Sequence, residues 1–207
     1  AGGRFENCTI TDQNVFSYSA DVSYKFTDRD TAFASHGLYY AHPDIFYYLG
    51  AADPDFKMAE ARNFQLGWNR KLTGSAVATA EVYYSRYSRL CPVTYAAGDD
   101  QLFKKVTQLN PLSDERSGYT YGLELSAKGS LGSYSGLVSY SLSRAVRRNS
   151  EDGRFVSDFD QTHLFRAAAS RSWDALPASV LFSLNSALPY PPVVDRGEEL
   201  GAGALEQ

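Results

Sequence analysis

The sequence predicts an all-β fold: an antiparallel, up-and-down barrel wall of about eight strands in four hairpins, built to cross a membrane. Three observations carry this. Polar and apolar residues alternate without error over many stretches of strand length, as they do when successive side chains point to opposite faces of a sheet. No apolar run approaches the ~18 residues that a spanning helix needs. Tight and long connections also take turns along the chain.

The alternation begins in residues 15–26, "VFSYSADVSYKF". Phe16, Tyr18, Ala20, Val22, Tyr24 and Phe26 fall on one face, against Ser17, Ser19, Asp21, Ser23 and Lys25 on the other. The polar turn "TDRD" returns the chain as "TAFASHGLYY", completing a hairpin. "RNFQLGWNRKL" (62–72) sets Phe64, Leu66 and Trp68 against Asn63, Gln65 and Asn69, and the turn "TGS" leads to "AVATAEVYYSRYSRL" (76–90). "YTYGLELSAKG" (119–129) places Tyr119, Tyr121, Leu123 and Leu125 opposite Thr120, Glu124, Ser126 and Lys128. "GLVSYSLSR" (136–144) does the same with Val138, Tyr140 and Leu142 against serines. The last pair is "HLFRAAASRSW" and "ASVLFSLNSALPY".

The turns near 27–30, 73–75, 130–135 and 174–177 are tight, whereas 41–60, 91–117 and 145–161 are long. Antiparallel strands reverse at each connection, so every tight turn falls at one end of the sheet and every long loop at the other. Outer-membrane barrels have this layout, with short periplasmic turns and longer outer loops. Their lipid face is apolar with aromatic girdles, and their lumen is polar. The expected lipid-facing set is therefore Phe16, Tyr18, Val22, Tyr24, Phe64, Leu66, Trp68, Tyr121, Leu123, Leu125, Val138, Tyr140, Phe165 and Phe182. The expected lumen set includes Asp21, Asn63, Gln65, Glu81, Glu124, Lys128 and Arg166.

Composition agrees. Tyr, Phe and Trp make up 14% of the chain, an enrichment that favours strands and interfacial surfaces. A net charge of -4 argues against nucleic acid as a partner, which would need a positive domain with clustered Lys and Arg. Cys8 and Cys91 are too few for a disulfide scaffold. Both fall at the long-loop end, on strands three places apart, about 14 Å at ordinary strand spacing. A disulfide would need the loops to bridge that gap, and two unpaired thiols are the simpler expectation. The chain opens at "AGGRFENC", with no initiator Met or signal peptide, so the numbering is expected to start inside a longer precursor.

Few residues offer chemistry. Asp158, Asp160 and His163 lie close in sequence and have the residue types of an acid–base or metal site. The competing reading is a loop cap at a strand entry, and it is preferred because no nucleophile accompanies them. No enzyme activity, metal or cofactor is expected. Candidate ligand-binding residues in the lumen or outer loops are Glu81, Tyr83, Tyr95, Asp99, Asp100 and Arg166. Tyr95, Asp99 and Asp100 belong to a loop that reads equally as a solvated tip. "RAVRR" (144–148) is basic and falls where outer-leaflet headgroups would lie, and "ALPYPPVV" (187–194) reads as a stiff strand exit.

Several segments then resemble TonB-dependent receptors. "FSYSADVSYKFTDRDTAFASHGLYYAHPD" is similar to a strand–turn–strand of that family, and "AEARNFQLGWNRKLTGSAVATAEVYYSRYSRL" to its next hairpin. "YTYGLELSAKGSLGSYSGLVSYSLSRA" resembles its "GLEL" hairpin, "DFDQTHLFRAAASRSW" its "DQ-x-H" strand entry, and "NSALPYPPVV" its strand-ending motif. The five occur in family order over nearly the whole chain. The resemblance implies one partial barrel domain over residues 1–207, lacking the plug domain, the TonB box and the final strands. It also implies outer-membrane lipid and the TonB complex as partners, the latter through the missing plug. The implied function is energised uptake of a siderophore, cobalamin or similar bulky nutrient. A small stand-alone outer-membrane barrel with a structural or adhesive role, and a soluble β-rich binding module, are the alternatives.

Overall fold

The computed structural model describes residues 1–9, 12–42, 57–90, 117–149, 153–157, 160–172 and 177–188. They form one antiparallel sheet of ten strands. These are β1 (Gly2–Cys8), β2 (Gln13–Lys25), β3 (Asp30–Ala41), β4 (Ala59–Lys71), β5 (Val77–Ser88), β6 (Ser117–Leu131), β7 (Tyr134–Asn149), β8 (Gly153–Val156), β9 (His163–Ser172) and β10 (Pro177–Asn185). Spatial order follows chain order, with β9 beside β7 along the lower part of that strand and β8 beside its upper part. The strands β2 to β7 have 12 to 16 residues, more than the ~9–11 that cross a bilayer at a tilt.

All eight strands read from the alternation are present, and two more join them. β1 pairs with β2 from Gly2↔Ser19 to Cys8↔Gln13, although its glycines and charges hide its pattern. β8 lies inside the segment read as the long connection 145–161, so part of that connection is a hairpin continuing β7 upward. The β1–β2 connection, residues 9–12, is short although it lies at the long-loop end.

Turn chemistry explains the tight end. Thr27 accepts the Arg29 and Asp30 backbone N–H groups on Oγ1 and donates from it to the Asp30 carboxylate at 2.7 Å, which locks the β2–β3 reversal. In the same turn the Lys25 ammonium, 2.9 Å from the fully exposed Asp28, holds that carboxyl below its usual range. Gly74 and Gly132 take φ of 57° and 58° in the next two turns, a left-handed conformation that side chains resist.

The register aligns the faces across the whole sheet. Tyr24, Ala32, Trp68, Ala80, Leu125, Tyr140, Phe165 and Leu184 form one row of directly opposed neighbours. Val22, Ala34, Leu66, Val82, Leu123 and Leu142 form the next. This apolar face has nothing packed on it: Phe16 is 56% exposed and Val22 66%. Among the described residues, Cys8 and Met58 are the fully buried apolar side chains. Phe16, Tyr18, Val22 and Leu125 therefore form no dry interior.

Between β8 and β9 the ladder breaks. The β7–β8 ladder stops at Val146↔Val156 and the β7–β9 ladder begins at Leu142↔His163, which leaves Ser143–Ala145 of β7 without a register partner on that side. Asp160, only 3% exposed, fills the gap. Its carboxylate accepts the Ala145 backbone N–H at 2.5 Å, the Thr162 hydroxyl at 3.0 Å and the Arg144 guanidinium at 3.3 Å. The Ser157 N–H, in turn, donates to the Ala145 carbonyl. A side chain thus completes a backbone ladder, as buried N–H groups require.

Several aromatic rings reach over glycines. Phe33 covers Gly67, Tyr39 covers Gly37, and Tyr83 covers Gly122, all on the polar face. Gly122 also lies against the Leu142 carbonyl, which a Cβ would approach to 2.6 Å. Such rings protect the bare backbone and brace neighbouring strands.

These contacts predict the cost of three substitutions, each measurable by denaturant unfolding of the complete barrel. Asp160→Ala strands the Ala145 N–H and costs about 1–3 kcal/mol. Gly122→Ala pushes against backbone and costs about 1–3 kcal/mol; Gly67→Ala costs less, because the Phe33 ring can swing away, and its cost disappears in a Phe33→Ala background.

Candidate functional site

Two surfaces hold the candidate functional residues. The first is the apolar face. All fourteen residues read from the sequence as lipid-facing lie on it: Phe16, Tyr18, Val22 and Tyr24 on β2, Phe64, Leu66 and Trp68 on β4, and Tyr121, Leu123 and Leu125 on β6. Val138 and Tyr140 on β7, Phe165 on β9 and Phe182 on β10 complete the set. Aromatics gather toward its two ends. At the loop end Tyr84, Tyr119 and Tyr121 stack in series, with ring centroids 6.2 Å apart at each step. At the turn end the Trp68 indole N–H donates to Asp30 at 3.1 Å while the Arg70 guanidinium lies 5.8 Å from the Trp68 ring. Arg171 sits 4.7 Å over Tyr134 in the same way.

Two histidines stand on this face and both are provided for. His36 stacks on Phe64 at 4.3 Å. Its Nδ1 lies 3.1 Å from the Asn63 carbonyl, which can only accept, so Nδ1 carries the proton and Nε2 accepts from the Tyr18 hydroxyl at 3.3 Å. His163 bonds the Tyr140 hydroxyl through Nδ1 at 2.8 Å. Asp160 is engaged in its clasp, and the two side chains bond different partners; Asp158 lies outside the described residues. Asp160 and His163 each bond β7, Asp160 through Ala145 and Arg144 and His163 through Tyr140.

The second surface is the polar face. Glu81 and Glu124 are directly opposed on β5 and β6. Tyr83, two residues on, projects across Gly122 toward Ser143 and Ser141. Ser35 donates to Gln65 at 2.6 Å and Thr79 to Asn69 at 2.7 Å, so much of the wall is knitted to itself. Arg166 shares this face, opposite Ser139 and Ser183. Three strand spacings, about 14 Å, separate its strand from that of Glu81. The sheet thus brings Glu81, Tyr83 and Glu124 together and leaves Arg166 apart. Tyr95, Asp99, Asp100 and Cys91 lie outside the described residues.

The register also corrects one reading and supplies what the sequence did not. Of the "RAVRR" segment, Arg144 and Arg148 share the apolar face with Tyr121 and Ser117, but Arg147 falls on the polar face beside Gly118. Arg62, Arg86 and Arg154 join Arg144 and Arg148 from other strands. Arg62 and Arg86 lie far from the others in the chain, so only strand pairing reveals the group.

The family model described as TonB dependent receptor-like, beta-barrel, matches residues 1–192. Among curated protein sequences none matches the chain. Among solved structures, the chain is similar to the FrpB iron transporter of Neisseria meningitidis, with a TM-score of 0.56 and 15% identity, over 83% of this chain and 26% of that one. It is similar to the ferric-catecholate import receptor Fiu of E. coli K12, with a TM-score of 0.57 and 16% identity, over 77% and 22%. It is also similar to the alcaligin outer-membrane receptor FauA of Bordetella pertussis, with a TM-score of 0.54 and 18% identity, over 84% and 29%. The chain spans about a quarter of the length of these receptors, and at such identities they speak for the fold. One long-stranded sheet, apolar on one side and polar on the other, is what a segment of their wall would be; with the family model covering 192 of the 207 residues, the chain belongs to the TonB-dependent receptor-like β-barrel family.

Proposed function

We propose that this chain is part of the wall of an outer-membrane receptor that imports a scarce, bulky nutrient, an iron chelate first among the candidates, with energy delivered through TonB. One observation carries the reading: an entire face of exposed aromatic and aliphatic side chains, backed by a face of Ser, Asn, Gln and Glu, with no core between them among the described residues. A soluble sandwich would bury the first face, whereas a membrane wall turns it toward hydrocarbon and lines a wet lumen with the second. FrpB is an iron transporter and Fiu a ferric-catecholate import receptor, which puts iron chelates ahead of cobalamin or glycans.

In this reading residues 1–207 are one partial barrel domain of a longer receptor whose plug contacts TonB. β1 and β10 stand at the edges of the described sheet. Family barrels have about 22 strands, so both edges would continue into further strands. The chain supplies a lipid-facing belt, a polar wall and the bases of the outer loops. The ligand would meet Glu81, Tyr83 and Glu124 from the lumen side. Transport itself belongs to the complete receptor, and no bond-making chemistry is assigned to this wall.

Two measurements test this. In the complete receptor Ala20→Arg, near the middle of the apolar face, costs about 2–4 kcal/mol in reversible unfolding from lipid, and Ser19→Arg on the polar face is mild; the reverse order would put the faces inside out. Cells carrying the complete receptor take up a labelled ferric chelate only when TonB and the proton gradient are intact. Uptake that ignores both would refute energised import.

A further inference from the structure

On the polar face, charge is absent from one large area. The rows through Ser35, Gly37 and Tyr39 run from β3 to β6 without an Asp, Glu, Lys or Arg. Three strand spacings and four residue rises make this area about 14 Å wide and about 13 Å high. It lies on the loop side of the Glu81–Glu124 pair, which occupies the next row down. Tyr39, Tyr83 and Tyr87 supply its relief: Tyr39 is 43% exposed, whereas Ser85, between Tyr83 and Tyr87 on β5, is 8% exposed. Its polar groups bond one another. Ser35 donates to Gln65 at 2.6 Å, the Tyr87 hydroxyl lies 3.4 Å from that of Thr120, and Tyr83 reaches toward Ser143. What such a wall offers a ligand is ring area and a few hydroxyls, the Tyr- and Ser-rich chemistry of recognition without charge.

Charges stand at the border of this area, and most are negative. Asp21 opposes Ser35 from β2, and Glu81 and Glu124 close the lower side. Against these three carboxylates stands Arg147, at the corner beside Gly118, and it is already engaged within the chain. Lys25, Lys128 and Arg166 lie two or more rows lower, toward the turn end. A ligand arriving from the loop side thus meets neutral rings first and carboxylates next.

We infer that this area is a contact surface for the imported ligand and that it selects a ferric chelate without net negative charge. Three hydroxamate groups neutralise a ferric ion, whereas three catecholates leave the complex strongly anionic. The neutral complex lays its organic shell on the tyrosine rings. The anionic one faces Asp21, Glu81 and Glu124 with no cation inside the area to offset them, and like charges brought together select against a partner. The inference rests on the iron-chelate reading given above, and the test separates the two.

Equilibrium binding to the purified complete receptor is measured with two radioiron-labelled probes, a neutral ferric trihydroxamate and an anionic ferric tris-catecholate. The neutral probe binds about tenfold more tightly or better, since like-charge contacts penalise the other. Raising the salt concentration narrows the gap by screening the carboxylates. Gln65→Lys, which puts a cation at an exposed position inside the area, removes most of the gap. Tyr87→Ala weakens binding of the neutral probe about tenfold, the loss of one aromatic anchor, and Tyr87→Phe retains it. Equal or tighter binding of the anionic probe, or a Gln65→Lys variant with an unchanged ratio, overturns the selection and spares the import of an iron chelate. Binding of neither probe overturns the iron-chelate reading and the inference with it.

Discussion

Everything in this sheet depends on a requirement of the backbone: in hydrocarbon each N–H and C=O must find a partner within the protein, because no water is there to accept or donate. Long antiparallel ladders meet that requirement from β2 to β7 with unbroken registers. Once pairing is fixed, the period of two decides the rest. Each side chain is committed to one face, and a slip by a single residue would bring Ser, Glu and Lys to the apolar side. The aromatic series along Tyr84, Tyr119 and Tyr121 exists only because the β5–β6 register sets Tyr84 opposite Tyr121.

The same requirement explains the two places where side chains take over from the ladder. Asp160 supplies an acceptor for Ala145 where β8 and β9 leave β7 uncovered. Glycines on the polar face are the other case. There the backbone is bare, and Phe33, Tyr39 and Tyr83 lie across it rather than standing into the lumen. Both devices hold neighbouring strands together without a hydrophobic core, which this sheet lacks among its described residues.

Much of this was legible in the sequence, and the reason is physical. Alternation reports face membership directly, so Phe16, Leu66 and Leu125 could be assigned without coordinates. Connection length reports the end of the sheet. What stayed hidden depended on pairing between distant strands. β1 has Gly2, Gly3, Arg4 and Glu6 in place of a clean pattern, and only its ladder to β2 identifies it. The partition of Arg147 from Arg148, and the gathering of Arg62, Arg86 and Arg154, follow from register and not from local spacing. Asp160 and His163 look like a catalytic pair in one dimension; in the sheet Asp160 bonds Arg144, Ala145 and Thr162, and His163 bonds Tyr140.

The offset between β8 and β9 has a consequence for how the barrel can vary. Because the β7–β9 ladder runs up to Leu142↔His163 and the β7–β8 ladder starts only at Val146↔Val156, the β7–β8 hairpin shares no register pair with the wall beneath it. Lengthening or trimming its tip leaves the β7–β9 register untouched, since Asp160 pins the point at which the wall resumes. The outer surface at this place is thus free to diverge among lineages, or to accept a grafted peptide, while the spanning part stays constant.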